Sequence, residues 1–165
     1  MSELLFGYAT LGDESYVGAL LGRVPQSFPA FIEGFELCLQ SYETIPPLVQ
    51  NAVKNSGWNP QTFRSYFARR SSDPLSRIDG RVWSLNDGEG RVLDDWEFEG
   101  LWYQRERAEV TDMEGRRHPV VIYTIPNAKD KPVGEVKNPY PVDKELMLKL
   151  ASQNNLVARE ARGEK

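Results

Sequence analysis

The sequence of 165 residues predicts an α+β fold, a mostly mixed or antiparallel sheet with helices between and after its strands. Two observations predict it. Five short segments carry strand patterns, and few helical patterns of crossover length separate them, which argues against a regularly alternating α/β chain. The length suits about one domain, so a single unit over residues 1–165 is expected.

Along the chain, Leu4-Leu5-Phe6-Gly7-Tyr8-Ala9-Thr10-Leu11 is an apolar run closed by Gly12-Asp13 and predicts a buried strand entering a loop. Phe35, Leu37 and Leu39 alternate with Glu36, Cys38 and Gln40, the period of a strand with one buried face. Thr44, ahead of Pro46-Pro47, caps a predicted helix with Leu48, Val49, Ala52 and Val53 on one face and Gly57 past its end. Asn59-Pro60, with Phe63 and Phe67 four residues apart, predicts a second helix, so that residues 41–78 are expected to form a helical insertion. Asp79 to Leu85 is a third strand, Asp87 to about Asp95 a third helix, and Tyr103 to Val110 a fourth strand. Val120 to Ile125 is the fifth, stopped by Pro126. Four prolines from Pro126 to Pro141 predict an extended strap. A last helix starts at Asp143 with Leu146, Met147, Leu150 and Ala151 on one stripe, so residues 126–165 read as strap plus helix, with a polar end fraying from Ala158.

Composition narrows the chemistry. A formal charge of -4 attracts phosphate backbones poorly, and the five arginines from Arg64 to Arg81 are interleaved with Asp73 and Asp79, so no nucleic-acid partner is expected. No apolar run approaches the roughly 18 residues of a membrane span, and Met1 to Gly7 lacks a basic leader, so no membrane partner and a cytoplasmic location are expected. Cys38 has no second cysteine to bridge; His118 has no second histidine with which to build a metal site and, before Pro119, reads as a turn residue. Carboxylates remain. From Asp87 to Glu114, ten acidic residues stand against three arginines, and Asp94, Asp95, Glu97 and Glu99 crowd around Trp96 and Phe98. A carboxylate at a helix end among apolar groups is desolvated, which raises its pKa toward that of a useful general acid or base. On spacing alone, the same residues read first as an ordinary charged helix end.

The ordered set Leu5-Phe6-Gly7-Tyr8-Ala9-Thr10-Leu11, Gly34-Phe35-Glu36-Leu37, Asp79-Gly80-Arg81-Val82-Trp83, Leu93-Asp94-Asp95-Trp96-Glu97, Tyr103-Gln104-Arg105 and Tyr123 resembles the γ-glutamylcyclotransferase-like family. That family's signatures are a strand ending in Tyr-Gly-Ser/Thr-Leu, a Gly-x-Val-Tyr strand, Leu-Asp-x-x-Glu and Tyr-x-Arg. The resemblance spans Leu4 to Ile125, apart from Ser41 to Ile78, and leaves out the chain after Pro126. It implies a small mixed β-barrel of about five or six strands with helices packed outside. It also implies a small-molecule substrate with a γ-glutamyl or similar amide group, cyclised to 5-oxoproline with release of the amine and without a metal or organic cofactor.

Residue by residue, the resemblance makes Glu97 the catalytic base and acid, with substrate contacts from Tyr8, Ala9, Thr10, Leu11, Tyr103 and Tyr123. Matching on Glu-Gly instead of Leu-Asp selects Glu99. Two further departures stand out: Ala9 replaces a glycine of the signature, and Phe98 comes directly after the glutamate where glycine is common. A Cβ at Ala9 narrows the loop or opposes a positive φ. These departures favour an alternative, a catalytically silent barrel that binds a small metabolite or partner protein; a related biosynthetic amide-cleaving or ring-forming enzyme is the third reading.

Overall fold

A computed structural model describes residues 3–133 and 144–161. Seven strands and four α-helices run in the order β1 (Glu3–Gly7), α1 (Glu14–Leu21), β2 (Ser27–Glu33), β3 (Phe35–Ser41), α2 (Pro47–Asn55), β4 (Arg64–Arg70), β5 (Arg77–Leu85), α3 (Glu89–Trp96), β6 (Gln104–Asp112), β7 (Arg117–Thr124) and α4 (Lys144–Ala161). The fold is mixed α+β. Strand order is β1-β5-β2-β6-β7-β4-β3, and a parallel pairing of Leu5 with Val121 joins β1 back to β7, so five strands close a ring. β4 branches from β7 through a parallel pairing of Ala68 with Thr124, and β3 runs antiparallel along the whole of β4.

Alternation along the strands supplies two cores. Phe6, Val82, Val120 and Ile122 join one cluster, whereas their neighbours Leu5, Trp83 and Tyr123 join another that includes Val17 and Leu20 of α1, Leu93 of α3 and Ala151 of α4. The helices therefore cover one face of the sheet. A third cluster gathers Val49 and Val53 of α2 with Trp58, Phe63 and the partly buried Phe98, Trp102, Met147 and Leu150.

Three expectations are corrected. First, β2 was hidden by Pro29, which removes a backbone donor; β6 pairs only with Ala30 and Phe31, so the proline lies beyond the stretch bonded on both sides. Second, the helix expected from Asn59-Pro60 is a turn, with the N–H groups of Thr62 and Phe63 donating to the Asn59 carbonyl, and it leads into β4. Residues 41–78 are therefore not an all-helical insertion. Phe67 is buried on one face of β4, while Tyr66 and Ala68 are buried on the other; a strand buried on both faces shows no alternation, and its phenylalanines imitate a helical spacing. Third, the chain at Gly12-Asp13 does not open into a loop: a 3-10 turn ends at Gly12, the Asp13 carboxylate caps α1 by accepting from the Ser15 N–H at 2.8 Å, and Gly22 closes the helix at φ 76°.

The described part of the expected strap, residues 126–133, borders β3. The Val133 N–H donates to the Leu37 carbonyl at 2.8 Å, and Pro132 bridges to Cys38, so the open edge of the last strand is partly covered. The rest of the strap and Asp143 lie outside the described residues. The end expected to fray from Ala158 is helical through Ala161, and residues 162–165 lie outside the description as well.

Candidate active site

One side of the site is the turn after β1. A 3-10 turn, Ala9–Gly12, continues from the strand, and close packing holds it there. A Cβ on Gly7 would collide with the Leu11 carbonyl, and one on Gly80 of the neighbouring β5 would collide with the Gly7 carbonyl and the Phe6 ring. The Trp83 indole N–H donates to the Leu11 carbonyl at 2.7 Å from full burial. The Tyr8 hydroxyl donates to the Tyr123 carbonyl and accepts from the Ala68 N–H, both at 2.7 Å, and so ties the end of β1 to β7 and β4. Ala9 sits at φ 52°, the left-handed conformation that glycine takes without strain.

The facing side is the end of α3. Leu93 is fully buried, and the Asp94 carboxylate accepts from Arg105 Nε at 2.7 Å and from the Tyr123 hydroxyl at 2.6 Å, while Arg105 also pairs with Glu3. The Leu-Asp pair thus fixes the helix to β1, β6 and β7. Glu97 is the cap residue, Phe98 comes next at φ 52°, the Glu99 N–H donates to the Asp94 carbonyl at 2.9 Å and the Phe98 N–H to the Asp95 carbonyl at 3.3 Å. That is a Schellman ending, with Phe98 in the left-handed position that glycine usually holds.

Between these sides lies a cavity of about 340 Å³. Glu97 and all of Tyr8, Ala9, Thr10, Leu11, Tyr103 and Tyr123 line it, whereas Glu99 is exposed and does not. Glu97 retains only 9% of its exposure, and among the described residues its carboxylate has no hydrogen-bond partner. Burial alone lifts its pKa from the ordinary carboxylate value to about 8. Burial first, and then the nearby Glu97, pushes the Tyr103 hydroxyl well above the usual phenol range; burial, then Tyr103 and then Glu97 do the same at Tyr8. Both rings stay neutral. Tyr103 donates to the Tyr66 carbonyl at 2.6 Å, with Ser65 Oγ at 3.0 Å from its oxygen. The phenols of Tyr8, Tyr103 and Tyr123 are therefore committed to the protein, and their rings shape the cavity. The other walls come from α2, the Trp58 to Phe63 turn and α4, among them Val49, Val53, Met147 and Leu150. No motif marks these residues as a site; the apolar helix faces at Val49 and Val53 and at Met147 and Leu150, with the aromatic content of residues 58–67, were the available signals. Among the described residues no three His, Cys, Asp or Glu side chains are grouped to hold a metal ion, and no helix is long and apolar enough to cross a membrane.

A family model described as gamma-glutamyl cyclotransferase, AIG2-like, matches residues 5–141. The chain belongs to that family. The match runs through residues 41–78 and to 141, beyond the limits that the motifs had set for the resemblance. Comparison with curated protein sequences finds no match. Solved structures share the fold. A gamma-glutamyl cyclotransferase is 17% identical, with a TM-score of 0.62 over 100% of this chain and 89% of that one. An uncharacterized Homo sapiens protein is 18% identical, with a TM-score of 0.58 over 99% and 88%. An Arabidopsis thaliana protein is 20% identical, with a TM-score of 0.54 over 98% and 82%.

Proposed function

We propose that the protein cyclises γ-glutamyl amides to 5-oxoproline and releases the amine, with Glu97 as the proton carrier. The observation that carries this reading is a buried carboxylate, unpartnered among the described residues, in the same cavity as the Tyr8 to Leu11 turn. The neutral α-amine of the substrate attacks its own γ-carbonyl carbon, forming the ring C–N bond and an oxyanion. Ionised Glu97 takes the proton that the attacking nitrogen sheds and returns it to the leaving nitrogen as the old amide C–N bond breaks. Atoms and electrons balance without a cofactor. Holding amine and carbonyl within one folded substrate supplies the proximity term, and backbone N–H groups of the turn serve the oxyanion. A pKa near 8 matches the carboxylate to the proton it handles, since free α-amines titrate at about 8 as well.

The silent-barrel alternative rested on Ala9 and Phe98. Both sit at φ 52°, in the left-handed region open to glycine, so each turn forms with the residue present. The test is direct: incubation with a panel of γ-glutamyl amines and dipeptides, with 5-oxoproline and free amine measured together. Equimolar release by the wild-type protein and its loss in a folded Glu97→Gln variant is the expected result; no release from any member rejects the reading.

A further inference from the structure

The cavity has two kinds of wall. Glu97 and the Tyr8 to Leu11 turn form the polar one, which the cyclisation uses, and Ser56, Ser65, Asp95 and Gln153 add polar groups elsewhere in the lining. The other is an apolar cluster containing Trp58, Phe63, Phe98, Trp102, Met147 and Leu150, for which the cyclisation itself has no use. Its rings are ordered against one another: Trp58 and Phe63 are 5.1 Å apart and nearly perpendicular, and Trp102 lies 6.4 Å from both Phe63 and Phe98. The Trp102 indole N–H donates to the buried Gln40 side chain at 3.0 Å, which fixes the ring's orientation. Arg64, the only cation lining the cavity among the described residues, donates to the carbonyls of its own turn at Phe63 and Gln61.

The geometry points to a γ-glutamyl amide whose leaving amine is aromatic or otherwise bulky and apolar, and this inference rests on the proposed cyclisation. A γ-glutamyl group brings an α-amine and an α-carboxylate, and burying either against indole and phenyl rings without partners is costly. That half of the substrate belongs at Glu97 and the backbone turn. The nitrogen substituent on the other side of the amide then meets the apolar wall, because Phe98 is adjacent to Glu97 in the chain and the Trp102 and Tyr103 rings lie 4.8 Å apart, joining the two walls. The cluster rewards apolar area that fills it and gives a small amine little to bury.

Two substrates that differ only by a phenyl ring test this, γ-glutamyl ethylamide and γ-glutamyl phenethylamide. Release of 5-oxoproline is measured for each, with calorimetric titration of both amides into the Glu97→Gln variant as a readout independent of turnover. The phenethylamide is expected to be favoured on the order of 10²-fold in kcat/KM. Trp102→Ala should shrink that ratio at least about tenfold, and Phe63→Leu gives the same test should the tryptophan variant fail to fold. Cyclisation of both amides with equal kcat/KM, or a preference for the ethylamide, overturns the inference and leaves the cyclase reading standing. Should neither amide be cyclised, the cyclase reading is judged on the wider panel, and titration decides the wall alone: tighter binding of the phenethylamide by at least about tenfold upholds an apolar-amine site, and equal or undetectable binding overturns it.

Discussion

At the scale of single residues, Glu97 carries two separable consequences of one environment. Ionised Glu97 is the proposed base, so Glu97→Gln is expected to lower turnover by about 10²- to 10⁴-fold while substrate binding survives. Exposed Glu99 should tolerate the same change with nearly full activity and within about 0.5 kcal/mol in stability. Below neutrality two protons, one on Glu97 and one on the substrate amine, must be absent for productive encounter. The wild-type kcat/KM should therefore climb toward two decades per pH unit and level off above about 8, and the residual activity of Glu97→Gln should climb only one. Stability runs the other way. With a folded pKa near 8 and an unfolded value near 4.5, the native state holds a proton that the unfolded chain has lost, so this group's contribution falls as pH rises from about 4.5 to 8 and is flat above. Glu97→Gln should accordingly gain on the wild type by roughly 3–5 kcal/mol between pH 4 and pH 9, read from denaturant midpoints at each pH. A constant difference across that range would contradict the raised pKa.

At the scale of elements, the two turns that border the cavity hold non-glycine residues in left-handed backbone, and their neighbours decide what that costs. Ala9 carries only a methyl group, so Ala9→Gly trades about 1–2 kcal/mol of strain against about 0.4–1 kcal/mol of unfolded-chain entropy. A net stabilisation of up to about 1.6 kcal/mol is expected from thermal transitions. Phe98 also packs on Trp102 and belongs to the apolar cluster, so Phe98→Gly should instead destabilise, by about 1–2 kcal/mol, despite the same relief of strain. Stabilisation by Phe98→Gly would mean that the ring contributes nothing there. Gly7 is the opposite case: its Cα faces the Leu11 carbonyl, backbone that cannot rotate away, and Gly7→Ala should cost at least about 3 kcal/mol and detach the turn.

At the scale of the whole molecule, the sheet depends on a few long-range ties. The arm made of β4 and β3 meets the ring through one parallel pairing at Ala68, the Tyr103 hydroxyl on the Tyr66 carbonyl, the Arg70–Glu106 ion pair and the Tyr8 hydroxyl, which bonds the Ala68 N–H and the Tyr123 carbonyl together. Tyr8→Phe keeps the packing and strands both backbone groups in a buried site, at a cost of about 2–4 kcal/mol. Amide exchange at Ala68 should accelerate in that variant beyond the global loss of stability, because the donor itself loses its partner. Unchanged protection at Ala68 would show that the arm is held by other means. Since β4 carries Ser65 and Tyr66, which line the cavity, loosening the arm should also weaken substrate binding.

Local chemistry was enough to reveal β1, β3, β5, β6 and β7, because each of these strands contains an apolar or alternating run that a period of two makes visible. The Leu-Asp-x-x-Glu and Tyr-Ala-Thr-Leu stretches were legible too, as motifs in order. β2 and β4 were not, since a proline in one and burial of both faces in the other erase the alternation by which a strand is recognised. Which of Glu97 and Glu99 enters the cavity was not fixed by the motifs, which match either one: the two are separated by one residue, and the Schellman turn at Phe98 places the first in the cavity lining and the second in solvent. The apolar wall was decided the same way. Trp58, Phe63, Trp102 and Met147 are up to about ninety positions apart, and no local pattern links them; the closed ring and the helices packed outside it bring them to one cavity, because burying their area together is what stabilises that packing.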